Sequence, residues 1–564
     1  MSVAVASHGT AKAAMEMSIP RAKLWSDTVP YLYSCKTQLK GSDDSVIDEV
    51  TNTFGVRKME WDADRGFILN GRPKKIKGFA NHQDFAGVGV AIPDDMQGFR
   101  VYMHKLMGAN GWRTAHNPPT EALLNECDAQ GVLVQAENHR NEVTDDKLQD
   151  LESMILRDRN HPSVFMWSLC NEVLCGGFNP KAARILKPMF KELDPYGQRP
   201  VTAAMNIDPM WPKKQSQEFQ SILDVMGLNY HHDGYDRNHE MHPEQPMIGS
   251  ETSSDFSDRS IYFNDEKSKK YVSAYDVNFP QWGATAEDAW CAIADRDFVA
   301  GGFYWTGFDY KGEPTPYGWP NVNSHFGVID IAGFPKDNFF YHKSVFISAD
   351  TQPILHILPH WNWDKLPCLN NATCNYDQKG KRIIDVWAYT NAASVELWLN
   401  DASLGRKEMV ACRHVSWWVP FQPGRLRAVS YDDHGKKVAS VAVSTTGAAV
   451  RIALSIDWPL NRAPVSGDTV LVRAALQDAD GMLVPTASAP LRFTVTGGAH
   501  IIGLGNGDPS CQEPDLPASA VSGARSAWNG LARVILRVKS AKFSLTATGP
   551  HLQSGVLKQG ATSH

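Results

Sequence analysis

The sequence predicts an α/β chain, a (β/α)8 TIM barrel flanked by β-sandwich (immunoglobulin-like) domains. Three observations carry this. The 564 residues are too many for one hydrophobic core, and the length suggests about three or four domains. From residue 75 to residue 305, short apolar runs alternate with helical stretches, the pattern of repeated βα units. Further on, apolar residues alternate in segments broken by Gly, Asn and Asp, as in antiparallel sheets. The implied domains are residues 1–72, a partial immunoglobulin-like β-sandwich; 73–347, the TIM barrel; 348–448, a β-sandwich; and 449–564, a C-terminal β-sandwich.

Taken in order, Tyr31 to Leu39 and Val46 to Thr53 are strand-like, follow a Trp-Ser-Asp-Thr-Val-Pro turn, and have little nearby to bury them. Eight strand candidates then follow: Lys75 to Ala80, Gly111 to Thr114, Val132 to Ala136, Val164 to Leu169, Pro200 to Ala204, Val225 to Asn229, Met247 to Gly249, and Gly302 to Trp305. Val164 to Leu169 is typical of them. It is too short for a helix and rich in β-branched and aromatic residues, so it reads as a strand buried on both faces. Eight such units in about 270 residues fit one closed barrel. Ile384 to Tyr389, Ser394 to Leu399, Leu426 to Ser430 and Lys437 to Val443 belong to the first sandwich, and a second series runs from Val450 to His551.

Composition excludes several classes. Net charge is −6 and 21% of residues are charged, so no basic field points to nucleic acid or an anionic membrane. No apolar run is long enough to span a bilayer, and the opening MSVAVASHGTAKAAMEMS has no charged segment followed by a long apolar one, so no signal peptide is visible. Location is left unknown, cytoplasmic or periplasmic. The nine Cys lack CxxC pairs or a metal-ligand rhythm, which predicts mostly free thiols. Many of the 17 Trp lie near Gly, Pro, Asn or Asp, among them Trp305, Trp319, Trp361 and Trp363, suggesting exposed stacking surfaces as well as core.

Functional side chains of such a barrel gather at the carboxyl ends of its strands. There the sequence places Asn81, His82 and Asp84; Arg113, His116 and Asn117; Glu137; Asn171 and Glu172; Asn229, Tyr230 and His231; Glu251; and Trp305, Asp309 and Glu313. Glu172 and Glu251, after strands four and seven, face each other across the mouth. Facing carboxylates are what glycosidic bond cleavage requires, one to protonate the leaving oxygen and one to attack the sugar carbon or activate water. Neutral neighbours and the charge of Glu251 would keep Glu172 protonated near neutral pH. Trp305 offers a flat face to a pyranose or plugs the barrel, and Arg113 orients a carboxylate or pairs with a strand-end acid. His82 and His116 show no HxH or HExxH pairing, so they suit sugar hydroxyls better than a metal, and no cofactor is expected.

At these residues the chain resembles glycoside hydrolase family two. NGWRTAHNPP with LLNECDAQGVLV, RDRNHPSVFMWSLCNE and PMIGSE resemble the family's two signatures and its nucleophile segment. The resemblance extends from LWSDTVPYLY through LNGRPKKIKGFANHQDF to YTNAASVELWLN and GLGNGDP. It implies Glu172 as acid/base, Glu251 as nucleophile and Asn171 as the residue on the sugar 2-hydroxyl. His82, Asp84, Arg113, His116, Asn229, Tyr230 and Trp305 complete the expected substrate-binding set. GGFYWTGFDYKGEPTPYG and HILPHWNW are most like bacterial β-galactosidases, implying a retaining exo-β-galactosidase acting on oligosaccharides or glycoconjugates. A β-glucuronidase would carry an Asn-Lys pair for the substrate carboxylate; no clear Asn-x-Lys follows strand eight, and Lys311 keeps that alternative open. So does a catalytically inactive carbohydrate-binding protein.

The chain departs from the family in three ways. His116-Asn117-Pro118 replaces the common HYP, and QAENHR lacks the Glu-x-His magnesium ligands of some β-galactosidases. Family members begin with a jelly-roll domain and a complete sandwich, whereas here only the end of a sandwich is expected. Its uncovered edges predict a shortened amino terminus or a homo-oligomer partner over the gap.

Overall fold

In a computed structural model, residues 8–11, 13–197, 199–369 and 373–560 are described. Part of the amino-terminal stretch searched for a leader lies outside them. Eight parallel strands close a barrel: β1 (Ile76–Asn81), β2 (Gly111–Thr114), β3 (Leu133–Glu137), β4 (Val164–Asn171), β5 (Val201–Met205), β6 (Met226–Asn229), β7 (Met247–Ser253) and β8 (Val299–Trp305). Each is followed by a helix, the first at Gln97–Leu106 and the last at Asp337–Phe346. Nearly every strand residue is buried, as expected where helices cover the outer face and side chains fill the interior. Closure between β8 and β1 depends on Gly301. Its φ is +135°, and a Cβ there would lie 2.2 Å from the Ile76 carbonyl oxygen, a position only glycine can occupy.

β4 and β7 run further than their apolar cores suggested. Asn171 still pairs with β5, and Glu251 and Ser253 pair with β6 and β8. Glu251 therefore lies within a strand rather than after one. The ladder holds these polar residues because their side chains find partners at the barrel mouth.

Residues 59–73, grouped on sequence with the amino-terminal β segment, instead close the barrel floor. Their strands Met59–Asp62, Gly66–Leu69 and Arg72–Pro73 form one small sheet. Met59, Phe67 and Leu69 join Ile76, Leu133, Phe165 and Ile248 in one apolar cluster, and Phe67 meets Phe165 edge-on at 5.2 Å. Before this sheet lies a lone hairpin, Tyr33–Lys40 with Val46–Phe54, largely exposed on both faces.

After the barrel, two four-stranded sheets form a sandwich whose strands include Arg382–Thr390 and Ser394–Leu399. Trp361 and Trp363 are fully buried in it, contrary to the stacking surfaces expected, whereas Trp319 is 71% exposed. Six strands between Arg451 and Gln559 build the last domain. Arg259, after β7, fastens it to the barrel: the guanidinium pairs with Asp330 at 2.8 Å and donates to the carbonyls of Asn506, Trp528 and Asn529.

The cysteines correct a second expectation. Cys170–Cys175, Cys291–Cys412 and Cys368–Cys374 are disulfides, and Cys35, Cys127 and Cys511 are free among the described residues. Two pairs are five and six residues apart and the third is 121 apart, so none shows a recognisable spacing. No helix of the described residues is long and apolar enough to cross a membrane.

Removing one partner of a buried ion pair is costly, so Arg259→Leu is expected to lose about 3–5 kcal/mol. The loss should appear as an earlier urea transition, because the unpaired Asp330 lies in the loop after β8 and the freed carbonyls lie in the C-terminal domain.

Candidate active site

The site is organised around Arg113, fully buried at the end of β2. Its Nε and Nη2 donate to Glu137 Oε2 at 3.0 and 2.9 Å, Nη1 to Glu251 Oε2 at 2.6 Å, and Nη2 to Asn171 Oδ1 at 2.8 Å. One guanidinium thus joins the ends of β3, β4 and β7, using the fork geometry that suits carboxylates. Burial alone would push the Glu137 carboxyl up, but Arg113 and His116 outweigh it and hold the group below the usual carboxylate range. His116 Nδ1 lies 3.0 Å from Glu137 Oε1, and the ring stacks parallel to Trp305 at 5.2 Å.

The two central carboxylates have unlike surroundings. Glu251 accepts from Arg113 and from the Tyr230 hydroxyl, to which Ser254 Oγ in turn donates at 3.0 Å. Glu172 accepts one neutral bond, from Asn229 Nδ2 to its Oε1 at 2.8 Å. Desolvation, then the charge of Glu251, raises the Glu172 pKa above the usual value, against smaller lowering effects of Asn229, Arg113 and His116. Unlike environments of this kind separate an ionised carboxylate from a protonated one. Asn229 is oriented by Ser250 Oγ, which donates to its Oδ1 at 2.7 Å. The same Nδ2 lies 3.5 Å from Glu251 Oε2.

These groups border a cavity of about 360 Å³ lined by His116, Asn171, Glu172, Tyr230, Glu251 and Trp305, with Asn206, Trp282, Glu313 and Phe326. The size suits a small-molecule site. Arg113 and Asn229 support the lining residues without belonging to the lining. His82 and Asp84 stand further back. The His82 ring packs 4.3 Å from Tyr310 and 5.3 Å from Trp305, and burial, aided by nearby positive charge, pulls its pKa down to about 3. Asp84 accepts from the Lys311 amide at 2.8 Å, and burial raises its carboxyl. A separate, larger hollow of about 510 Å³ lies near Arg57, Arg159 and Arg199, with neither glutamate in its wall.

Trp282 and Asn206 were missed on sequence, and Glu313 was noted only as a strand-end acid. Trp282 and Glu313 sit on the long loops after β7 and β8, where no periodicity marks a functional position. Glu313 accepts from the Tyr310 hydroxyl, and burial raises its carboxyl. Among the described residues, no group of three or more His, Cys, Asp or Glu is placed to hold a metal ion.

Comparison with known proteins finds relatives along the whole barrel and its flanking domains. The model for "Glycosyl hydrolases family 2, TIM barrel domain" matches residues 63–145 and 135–345. "Glycosyl hydrolases family 2" matches 2–57, and "Glycoside hydrolase family 2 C-terminal domain 5" matches 463–558. A domain of unknown function matches 381–439. "Beta-galactosidase BoGH2A" of Bacteroides ovatus is 33% identical, over 97% of this chain and 68% of that protein. A "Putative beta-glucuronidase" of Formosa agariphila is 29% identical, over 94% of this chain and 52% of that protein. This chain therefore spans about two thirds of the first relative and half of the second. A solved beta-glycosidase from Bacteroides vulgatus superposes with a TM-score of 0.80 at 29% identity, over 96% of this chain and 71% of that one.

Because Glu251 repels a proton-free Glu172, Glu251→Gln should lower the Glu172 pKa. Carboxyl titration by 13C NMR is expected to show this downward shift, and an unchanged value would refute the coupling.

Proposed function

We propose that this chain, which belongs to glycoside hydrolase family 2, is a retaining exo-β-galactosidase acting on oligosaccharides or glycoconjugates. The observation that carries the choice of sugar is the lining of the cavity. It holds three carboxyl groups, Glu172, Glu251 and Glu313, and no Lys or Arg among its described residues. The nearby Lys311 Nζ is paired with Asp515 instead. A uronic acid would bring a negative charge to a wall that offers no lysine or arginine to receive it, and a charge taken out of water without a partner is strongly unfavourable. A neutral galactoside meets polar groups suited to its hydroxyls and the apolar faces of Trp282, Trp305 and Phe326.

Glu251, ionised and held by Arg113 and Tyr230, attacks the anomeric carbon, while Glu172 gives its proton to the departing glycosidic oxygen. The product is a glycosyl ester on Glu251. Its charge is then gone, so Glu172 no longer feels the repulsion that adds to desolvation in raising its pKa, and it takes a proton from the water that cleaves the ester. One amide nitrogen reaches both acids, so their nearest oxygens are separated by at most 2.8 plus 3.5 Å. Sharing one amide is in keeping with the roughly 5–5.5 Å carboxyl spacing of retention, which is closer than the roughly 6.5–9.5 Å that lets inversion admit a water. Asn171 Oδ1 is committed to Arg113 and Asn229, which leaves its Nδ2 to donate to the 2-hydroxyl. Trp305 supplies an apolar floor, and the half-exposed Trp282 a face for the aglycone.

Hydrolysis of aryl β-galactoside, β-glucuronide and β-mannoside tests the assignment. The galactoside is expected to be cleaved with the highest kcat/KM, and faster cleavage of the glucuronide would overturn it. Glu251→Gln should form no glycosyl-enzyme by mass spectrometry. For the wild type, kcat/KM should fall as pH rises through the raised Glu172 pKa, because the acid must be protonated to act.

A further inference from the structure

Glu172 lies inside a covalent ring. Cys170, in β4, is bonded to Cys175, the last residue of the turn Glu172–Cys175, with Cα atoms 5.2 Å apart and both side chains buried. The ring encloses Asn171, Glu172, Val173 and Leu174. Two features show why the carboxyl needs such a restraint. Glu172 has φ +43°, a left-handed conformation that a residue with a Cβ adopts only at a cost. Beyond it the chain runs out to the surface: Val173 is 85% exposed, and Gly176 and Gly177 follow at φ +60° and +67°.

Non-covalent ties to this turn are mostly backbone hydrogen bonds near its end, among them Gly176 N to the Val173 carbonyl at 3.2 Å and Asn179 N to the Cys175 carbonyl at 3.1 Å. Asn141 N donates to the Leu174 carbonyl at 3.2 Å, and Asn141 Nδ2 to the Cys175 carbonyl at 3.3 Å. Among the described residues the Glu172 carboxyl has only its bond to Asn229. Glu251, by contrast, sits in the middle of a ladder-bonded strand and is gripped by Arg113 and Tyr230.

We propose that the Cys170–Cys175 disulfide is a positioning device for the acid/base carboxyl, fixing the strained turn so that Glu172 reaches the glycosidic oxygen. This rests on the reading of Glu172 as acid/base. A misplacement of about 1 Å costs on the order of 10²-fold in rate, so opening the ring should impair proton delivery while leaving the nucleophile intact. Both cysteines act through Glu172 and touch no substrate.

The test is a leaving-group comparison in Cys170→Ala/Cys175→Ala, made on the glycone that the wild type hydrolyses. A dinitrophenolate leaves without a proton, whereas an alkyl or sugar alkoxide needs one. The kcat/KM ratio of alkyl to dinitrophenyl glycoside should fall about 10²-fold, and the alkaline limb of the pH profile should move. Because the ratio is independent of how much enzyme is folded, lost stability cannot mimic it. Cys291→Ala/Cys412→Ala, opening a distant bridge, should leave the ratio unchanged. An unchanged ratio in the Cys170/Cys175 variant, or both cysteines found as thiols by peptide mapping of active enzyme, would overturn the proposal. If Glu172→Gln itself left the ratio unchanged, the acid/base assignment would fall and the positioning role with it.

Discussion

Everything at the mouth of this barrel depends on one buried guanidinium. Glu137, Glu251 and Glu172 stand close together where water is largely excluded, and unpaired carboxylates there would neutralise or drive the site apart. Arg113 resolves this by pairing with Glu137 and Glu251 at once, while its contact with Asn171 sets the end of β4. Burial disfavours the charged form of Arg113, but the two glutamates outweigh that and raise its pKa. It is a permanent cation, and the rest of the electrostatics follows from its position.

That position is asymmetric, and the asymmetry separates the two central acids. Arg113 touches Glu251 but not Glu172, so among the described residues one carboxyl is paired with a cation and the other is left to a single amide. Glu137 serves as the second counter-charge. Joined to Arg113, His116 and the Ser168 hydroxyl, it keeps the guanidinium from turning wholly toward Glu251. Distinct roles for similar side chains arise here from which strand end each occupies.

Much of this was legible in the sequence because barrel strands are short, apolar and buried on both faces, which distinguishes them from the alternating strands of the sandwich. Strand ends were less legible. Asn171 and Glu251 looked like loop residues, and only their hydrogen-bonded partners allow a polar residue to continue a buried ladder. Residues 59–73 looked like more of the amino-terminal β segment, since nothing local reveals that Met59 and Phe67 pack beneath another sheet. Trp361 and Trp363 lie among turn-forming neighbours yet are covered by strands far away in sequence. The disulfides were invisible for a similar reason, because pairing is set by folded proximity. Trp282 and Glu313 lie on loops whose course is fixed by packing rather than by period.

The loop after β8 carries Glu313 and Phe326 into the cavity wall, and it is held from outside by the last domain. Val322 N donates to the Pro509 carbonyl at 2.8 Å, Gln512 Nε2 to the Pro320 carbonyl at 2.8 Å, and Lys311 pairs with Asp515. Any ligand that needs this wall in place therefore links occupancy of the cavity to docking of that domain. A ligand that binds only the docked arrangement strengthens docking by RT ln(1 + [L]/Kd), about 2.7 kcal/mol at a hundred times Kd. By reciprocity, firm docking tightens ligand binding by the same factor. The carboxyl-terminal domain, remote from Glu172 and Glu251 in sequence, is thus a thermodynamic partner of any ligand that depends on this wall.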